Sequence, residues 1–151
     1  MKHHILMLLL SSSLLCACNN TETAVSSSRA PSKPYYEEVE SYHIHWDDLF
    51  AQEGNPYYCY IYGLACNACS SLREQATTLA QSSNIPFYFI YPNDDIPFVE
   101  APAIAESSLG ATTLDGVSCY STPTLIEITD HTVTEYLRDY YQIKDFIEAH
   151  L

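Results

Sequence analysis

Cys66 and Cys69, spaced as C-x-x-C, are the side chains in this sequence best suited to covalent chemistry. The run ahead of them, Tyr57-Tyr58-Cys59-Tyr60-Ile61-Tyr62, is aromatic and β-branched and reads as a buried strand. Residues 70–81 place Leu72, Ala76, Leu79 and Ala80 on one stripe, as an amphipathic helix requires. The pair therefore belongs at a strand-to-helix junction. A thiol there faces unsatisfied backbone N–H groups and the positive end of the helix dipole, which stabilise its thiolate and lower its pKa. Cys66 is the expected nucleophile. Cys69, one turn further along the same face, is positioned to attack the mixed disulfide that Cys66 forms with a substrate. No cofactor is expected.

Other uses of the pair fit less well. A structural zinc site wants a second C-x-x-C or a Cys/His pair at similar spacing, whereas Cys59 and Cys119 stand singly. Haem attachment needs a histidine where Ser70 stands. His43 and His45 could share one strand face as metal ligands, but no third ligand is nearby. The expectation is two exposed strand histidines and no metal site.

A second stretch, Cys119-Tyr120-Ser121-Thr122-Pro123-Thr124-Leu125-Ile126-Glu127-Ile128, sets a proline just ahead of a strand, and proline is the residue for which a cis peptide is cheap. With it the sequence resembles the thioredoxin family. The resemblance rests on Cys66-Asn67-Ala68-Cys69 after a strand, Thr122-Pro123-Thr124-Leu125 as the cis-proline strand, a hairpin, and a closing helix around Ile143, Phe146 and Ile147. It covers roughly residues 44–151. It implies an α/β, thioredoxin-like fold with a central mixed sheet of about four to five strands flanked by helices. It also implies a Pro123 loop lying against the reactive cysteine, and a Thr122 backbone that hydrogen-bonds an extended substrate. The implied partners are protein thiols and disulfides, with a further protein that recycles the pair.

The elements that must position these residues follow in order. Residues 42–46 alternate as a short strand, and residues 47–52 open with acids, as a first helix does. Gly54-Asn55-Pro56 turns the chain into the central strand. The helix of residues 70–81 ends at Ser83-Asn84, and residues 85–91 read as a strand made parallel by that crossover. Residues 92–120 form an elaboration beside the site, with a helix near residues 101–109 stopped by Gly110. A hairpin turning at Asp130-His131 and a helix from Gln142 complete the domain.

The N-terminus carries a different message. Lys2 precedes the apolar run Ile5-Leu6-Met7-Leu8-Leu9-Leu10, followed by Leu14-Leu15-Cys16-Ala17-Cys18, the layout of a signal peptide over residues 1–17. Its end resembles a bacterial lipobox: Leu15 lies three before Cys18 and small Ala17 just before it, so Cys18 is the expected lipid acceptor. Residues 18–40 are rich in Ser, Thr, Ala, Pro and Asn and read as a disordered tether, leaving residues 41–151 as the folded domain. The expected location is extracytoplasmic, on a bacterial cell membrane. A net charge of -13 with 6 Lys and Arg excludes nucleic acid as a partner and leaves no polybasic patch for anionic lipid. A monomer is expected.

Cys59 and Cys119 are expected to be unbonded. Cys59 starts roughly 20 Å behind Cys66 along its strand, whereas Cys119 stays near the Pro123 end.

The sequence also departs from thioredoxin. That family carries Trp-Cys-Gly-Pro-Cys and a buried acid six residues before the first cysteine; here Ala65, Asn67-Ala68 and Tyr60 hold those places. With the lipobox, the chain is more similar to extracytoplasmic thioredoxin-like lipoproteins of Gram-positive bacteria, including bacteriocin transport accessory proteins. Two functions follow: a lipid-anchored thiol-disulfide oxidoreductase, or a non-catalytic accessory protein that holds an extended peptide against the proline loop.

Overall fold

The computed structural model of the protein describes residues 36–82 and 84–151. The expected signal peptide, Cys18, the tether as far as residue 35, and Ser83 lie outside the described residues.

Five strands form one mixed sheet: β1 (His43–Ile44), β2 (Tyr57–Ile61), β3 (Phe87–Ile90), β4 (Thr124–Thr129) and β5 (Thr132–Leu137). Their order is β1-β3-β2-β4-β5. β3 runs parallel to both β1 and β2, and β4 runs antiparallel to both β2 and β5. Helix α1 (Asn67–Ser82) makes the crossover between β2 and β3; α2 (Pro102–Glu106) and α3 (Tyr140–His150) follow β3 and β5. This is the expected α/β architecture, a mixed sheet flanked by helices.

β2 is buried along its whole length, and its side chains alternate between two cores. Tyr58, Tyr60 and the following Tyr62 face α1 and α3, packing with Leu72, Ala76, Leu79, Ile143 and Ile147. Tyr57, Cys59 and Ile61 face the other way, onto Trp46, Leu49, Ala105, Val117 and Cys119. A fully buried Leu, Ile or Phe contributes about 1.5–3 kcal/mol, so β2 is fixed from both sides. The free thiols Cys59 and Cys119 are both buried in the second core. Burial raises both thiol pKa values, that of Cys119 to about 12.

The local readings differ from the structure in four places. The expected helix of residues 47–52 is a single 3₁₀ turn, Trp46–Asp48: the Asp48, Leu49 and Ala51 N–H groups donate to carbonyls three residues back (3.0, 3.1 and 3.0 Å), and the chain soon turns away at Gly54 (φ +112°). The expected helix of residues 101–109 is only α2. It gives way to turns that end at Gly110 (φ +84°), whose N–H donates to the Val133 carbonyl (2.9 Å). α1 begins at Asn67 rather than residue 70, so Cys69 lies inside its first turn. Ordered structure also begins before residue 41: a 3₁₀ segment, Glu37–Tyr42, follows the buried Tyr36 and carries Val39 into the first core.

The hairpin turns at Asp130 and His131, both with positive φ, as a two-residue turn matched to strand twist requires. Asp139 caps α3, its carboxylate accepting from the Tyr141 N–H (2.9 Å) and the Gln142 N–H (3.4 Å). Among the described residues no helix is long and apolar enough to cross a membrane.

Candidate redox site

Where β2 ends, Gly63 to Cys66 form a short loop that delivers Cys66 to the start of α1. Cys66 and Cys69 are joined as a disulfide with Cα atoms 5.2 Å apart. Cys69 is buried in the first core, whereas Cys66 is half-buried, so the Cys66 sulfur is the one an incoming thiolate reaches. That sulfur accepts the Cys69 backbone N–H (3.0 Å), the kind of bond a capping side chain makes to a third-position amide. The same N–H favours a thiolate once the disulfide opens.

The Thr122–Pro123 peptide is cis, and the Thr122 carbonyl oxygen lies 3.3 Å from the Cys66 sulfur. Gly63 permits this approach: a Cβ there would fall 2.9 Å from Thr122 Oγ1. Thr124 Oγ1 donates to the Ser121 carbonyl (2.7 Å), closing the loop behind Pro123. The four residues singled out in the sequence, Cys66, Cys69, Thr122 and Pro123, thus lie together at one end of the sheet. Cys18 lies outside the described residues.

Sequence reasoning missed what stands behind the disulfide. The Tyr36 hydroxyl donates to the Cys69 carbonyl (2.5 Å), and its ring stacks on Tyr62 at 4.3 Å. Arg73 of α1 lies over the Tyr36 ring, 5.0 Å from its centroid, and pairs with Glu38 at 2.6 Å. The Tyr36 N–H donates to the Tyr62 hydroxyl (3.3 Å), which donates in turn to His43 Nε2 (2.9 Å). His43 Nδ1–H completes the chain at the Val39 carbonyl (3.0 Å). A polar chain therefore runs from β1 to the first turn of the cysteine helix. Its one sequence signal is Tyr36 itself, an aromatic in a stretch otherwise poor in apolar residues.

Tyr60, at the place of thioredoxin's buried acid, is fully buried, and its hydroxyl lies beside that of Tyr36 without a hydrogen bond of good geometry. Burial, then the neighbouring Tyr36 hydroxyl, push its pKa well above the ordinary phenol value. It offers a neutral O–H where a carboxylate would offer a base.

The reading of His43 as an exposed strand histidine is overturned. Its ring is buried between Tyr62, Phe89 and Tyr91, because β1 sits beside β3 with the 3₁₀ segment folded over it. His45 stays exposed and meets Asp94 at 3.1 Å. The two histidines share no ligand position, and among the described residues no three His, Cys, Asp or Glu side chains are grouped to hold a metal.

Burial holds the His43 pKa below its usual 6.5, opposed by the Val39 carbonyl and by Glu40 and Glu38. Its neutral form is matched at both nitrogens, and a proton on Nε2 would confront a hydroxyl already donating to it. Because the folded pKa is depressed, this contribution to stability is complete above the unfolded pKa of about 6.5 and is lost as pH falls through the folded value. Thermal melts from about pH 7 to about pH 5 should show wild type losing more stability than His43→Gln. Parallel losses in the two proteins would show that His43 does not carry the effect.

No protein-family model matches this chain, and no curated protein sequence does. Among solved structures it is similar to mitochondrial thioredoxin 3 from Saccharomyces cerevisiae in its oxidized form, at 16% identity and a TM-score of 0.46 over 76% of this chain and 97% of that one. It is similar to thioredoxin f from spinach chloroplast at 15% identity and a TM-score of 0.47, covering 71% of this chain and 89% of that one. A point mutant of thioredoxin from Halobacterium salinarum NRC-1 matches at 21% identity and a TM-score of 0.42, over 72% of this chain and 89% of that one. The fold is thioredoxin-like, as the strand order and the placing of the cysteine helix and the Pro123 loop describe it.

Proposed function

We propose that this protein is a thiol-disulfide oxidoreductase, exported and held on the outer side of a bacterial membrane by a lipid on Cys18. One observation carries the redox part: a Cys66–Cys69 pair at a helix start, its accessible sulfur facing the Thr122 carbonyl. In this reading a substrate thiolate attacks the Cys66 sulfur, the Cys66–Cys69 bond breaks, and Cys69 leaves as the thiolate. A second substrate thiolate then attacks the substrate sulfur of the mixed disulfide and expels Cys66. The substrate is oxidised by two electrons, the pair is reduced, and two protons pass to solvent or to the new thiols. The reverse sequence reduces a substrate disulfide, with Cys66 as nucleophile and Cys69 as resolving thiol. In both directions a further redox protein must restore the pair, and Thr122 would hold the substrate backbone.

The lipoprotein reading, of the bacteriocin transport accessory type, is supported by the Leu15-Cys16-Ala17-Cys18 sequence after the apolar run. Equilibration of the full chain with glutathione buffers, followed by alkylation and intact mass, tests both parts. The expected results are one two-electron transition at Cys66–Cys69, and a mature chain from the membrane fraction that starts at Cys18 with added acyl mass. A pair that never exchanges would leave the non-catalytic accessory reading, which Tyr60 in place of a buried acid favours. A mature chain starting elsewhere without lipid would overturn the anchor.

A further inference from the structure

Three loops follow one another at the end of the sheet that carries the Cys66 sulfur. The loop from Gly63 to Cys66 packs against Thr122, and the chain just before Thr122 is bonded on both sides of Phe98. The Cys119 N–H donates to the Pro97 carbonyl (2.9 Å), and the Val99 N–H donates to the Cys119 carbonyl (2.7 Å). Each loop exposes one large apolar side chain: Leu64 is 46% exposed, Tyr120 39% and Phe98 54%. Leu64 stands two residues before Cys66, and Tyr120 two before Thr122. Large apolar side chains exposed on neighbouring loops, at the end of the sheet that carries a reactive sulfur, point to a binding site.

The charge around it has one sign. The chain carries 19 Asp and Glu against 6 Lys and Arg. Among the described residues each basic side chain is already committed: Arg73 to Glu38 (2.6 Å), Arg138 to Glu106 (2.8 Å) and Lys144 to Glu148 (2.5 Å). Asp95 and Glu100, exposed on the segment that carries Phe98, enter no ion pair among the described residues. A negative field, with every Lys and Arg among the described residues already paired, repels acidic chains and draws in basic ones.

We propose that this face selects extended cationic peptide segments in which an apolar residue adjoins the reacting cysteine. The proposal rests on the oxidoreductase reading and names its substrate class. The apolar side chain is buried on Leu64, Tyr120 and Phe98, while flanking Lys or Arg residues meet Asp95 and Glu100. In the step itself the peptide thiolate bonds to the Cys66 sulfur and Cys69 leaves as the thiolate, with the peptide's proton released to buffer.

The test is the rate at which the oxidised full-length protein forms a mixed disulfide with four single-cysteine peptides. These combine Lys or Glu flanks with Leu or Ser beside the cysteine. The Lys/Leu peptide should react about tenfold or more faster than the Glu/Ser peptide at about 20 mM salt, and the Lys-over-Glu ratio should shrink towards one at about 500 mM. Phe98→Ser should bring the Leu and Ser peptides together, and Asp95→Asn with Glu100→Gln should bring the Lys and Glu peptides together. Equal rates for all four peptides, with the pair still reduced by dithiothreitol, would overturn the proposal and leave the redox reading standing. Variants that keep wild-type ratios would overturn the residue assignment and with it the proposal. A pair inert to dithiothreitol and to every peptide would overturn both readings.

Discussion

Cys69→Ser should accumulate mixed disulfides with its substrates through Cys66, whereas Cys66→Ser should trap nothing and lose exchange down to the background of a buried thiol. The asymmetry follows from position. Cys66 is half-exposed, accepts the Cys69 N–H at 3.0 Å and faces the Thr122 carbonyl at 3.3 Å; Cys69 is buried under Tyr36 and Leu72. An incoming sulfur must reach the sulfur it attacks, and of the two residues Cys66 is the one with exposed surface. The helix start also favours a thiolate at Cys66, so its alkylation in the reduced protein should titrate below the roughly 8.5 of a free thiol. With Cys69 replaced, the mixed disulfide has no internal attacker and survives to be isolated by non-reducing electrophoresis. Partners trapped on Cys66→Ser instead would reverse the two roles.

How much of this could be read from the sequence depends on how local each cause is. The strand into Cys66, the α1 stripe, the hairpin at Asp130-His131 and the closing helix are legible because period and turn chemistry act within a few residues. Ile143 and Ile147 show the α3 stripe before any partner is known. The 3₁₀ turn at Trp46 reads as a helix in the sequence because its acids are a local signal, whereas the turn at Gly54 that follows it packs against Pro86, remote in sequence. The burial of His43 is hidden from the sequence in the same way, being imposed by Tyr62, Phe89 and Tyr91, none of them local. Tyr36 and Val39 lie in an acidic, proline-flanked stretch whose composition signals a tether, and only the core reached across α1 shows them to be part of the domain. At the site, residue types revealed the cysteines and the proline. The phenol network behind them needed coordinates, because a tyrosine in a strand packs equally well with or without a partner for its hydroxyl.

Tyr62→Phe should cost about 2–4 kcal/mol of stability, while Tyr60→Phe, the same deletion one side-chain repeat away on the same face, should cost nothing or add about 1 kcal/mol. The Tyr62 hydroxyl serves two buried neighbours, accepting the Tyr36 N–H at 3.3 Å and donating to His43 Nε2 at 2.9 Å. Removing it takes a bond from each, and a buried polar group that loses a bond gains no solvation in return. The Tyr60 hydroxyl is buried beside that of Tyr36 without a hydrogen bond of good geometry, so its loss relieves a desolvation cost and sacrifices little. Urea unfolding of the oxidised proteins near pH 7.5, where His43 is neutral in both states, separates the cases. Equal destabilisation by the two substitutions would show that Tyr60 has a partner, the Tyr36 hydroxyl or a trapped water. The effect should also extend to chemistry. Tyr36 is tied to Tyr62 at its N–H and to the Cys69 carbonyl at its hydroxyl, so freeing one end loosens the turn that holds the resolving cysteine. Tyr62→Phe should therefore slow release of mixed disulfides from Cys66 more than it slows their formation. Tyr60→Phe, which leaves those bonds in place, should alter the two rates in the same proportion.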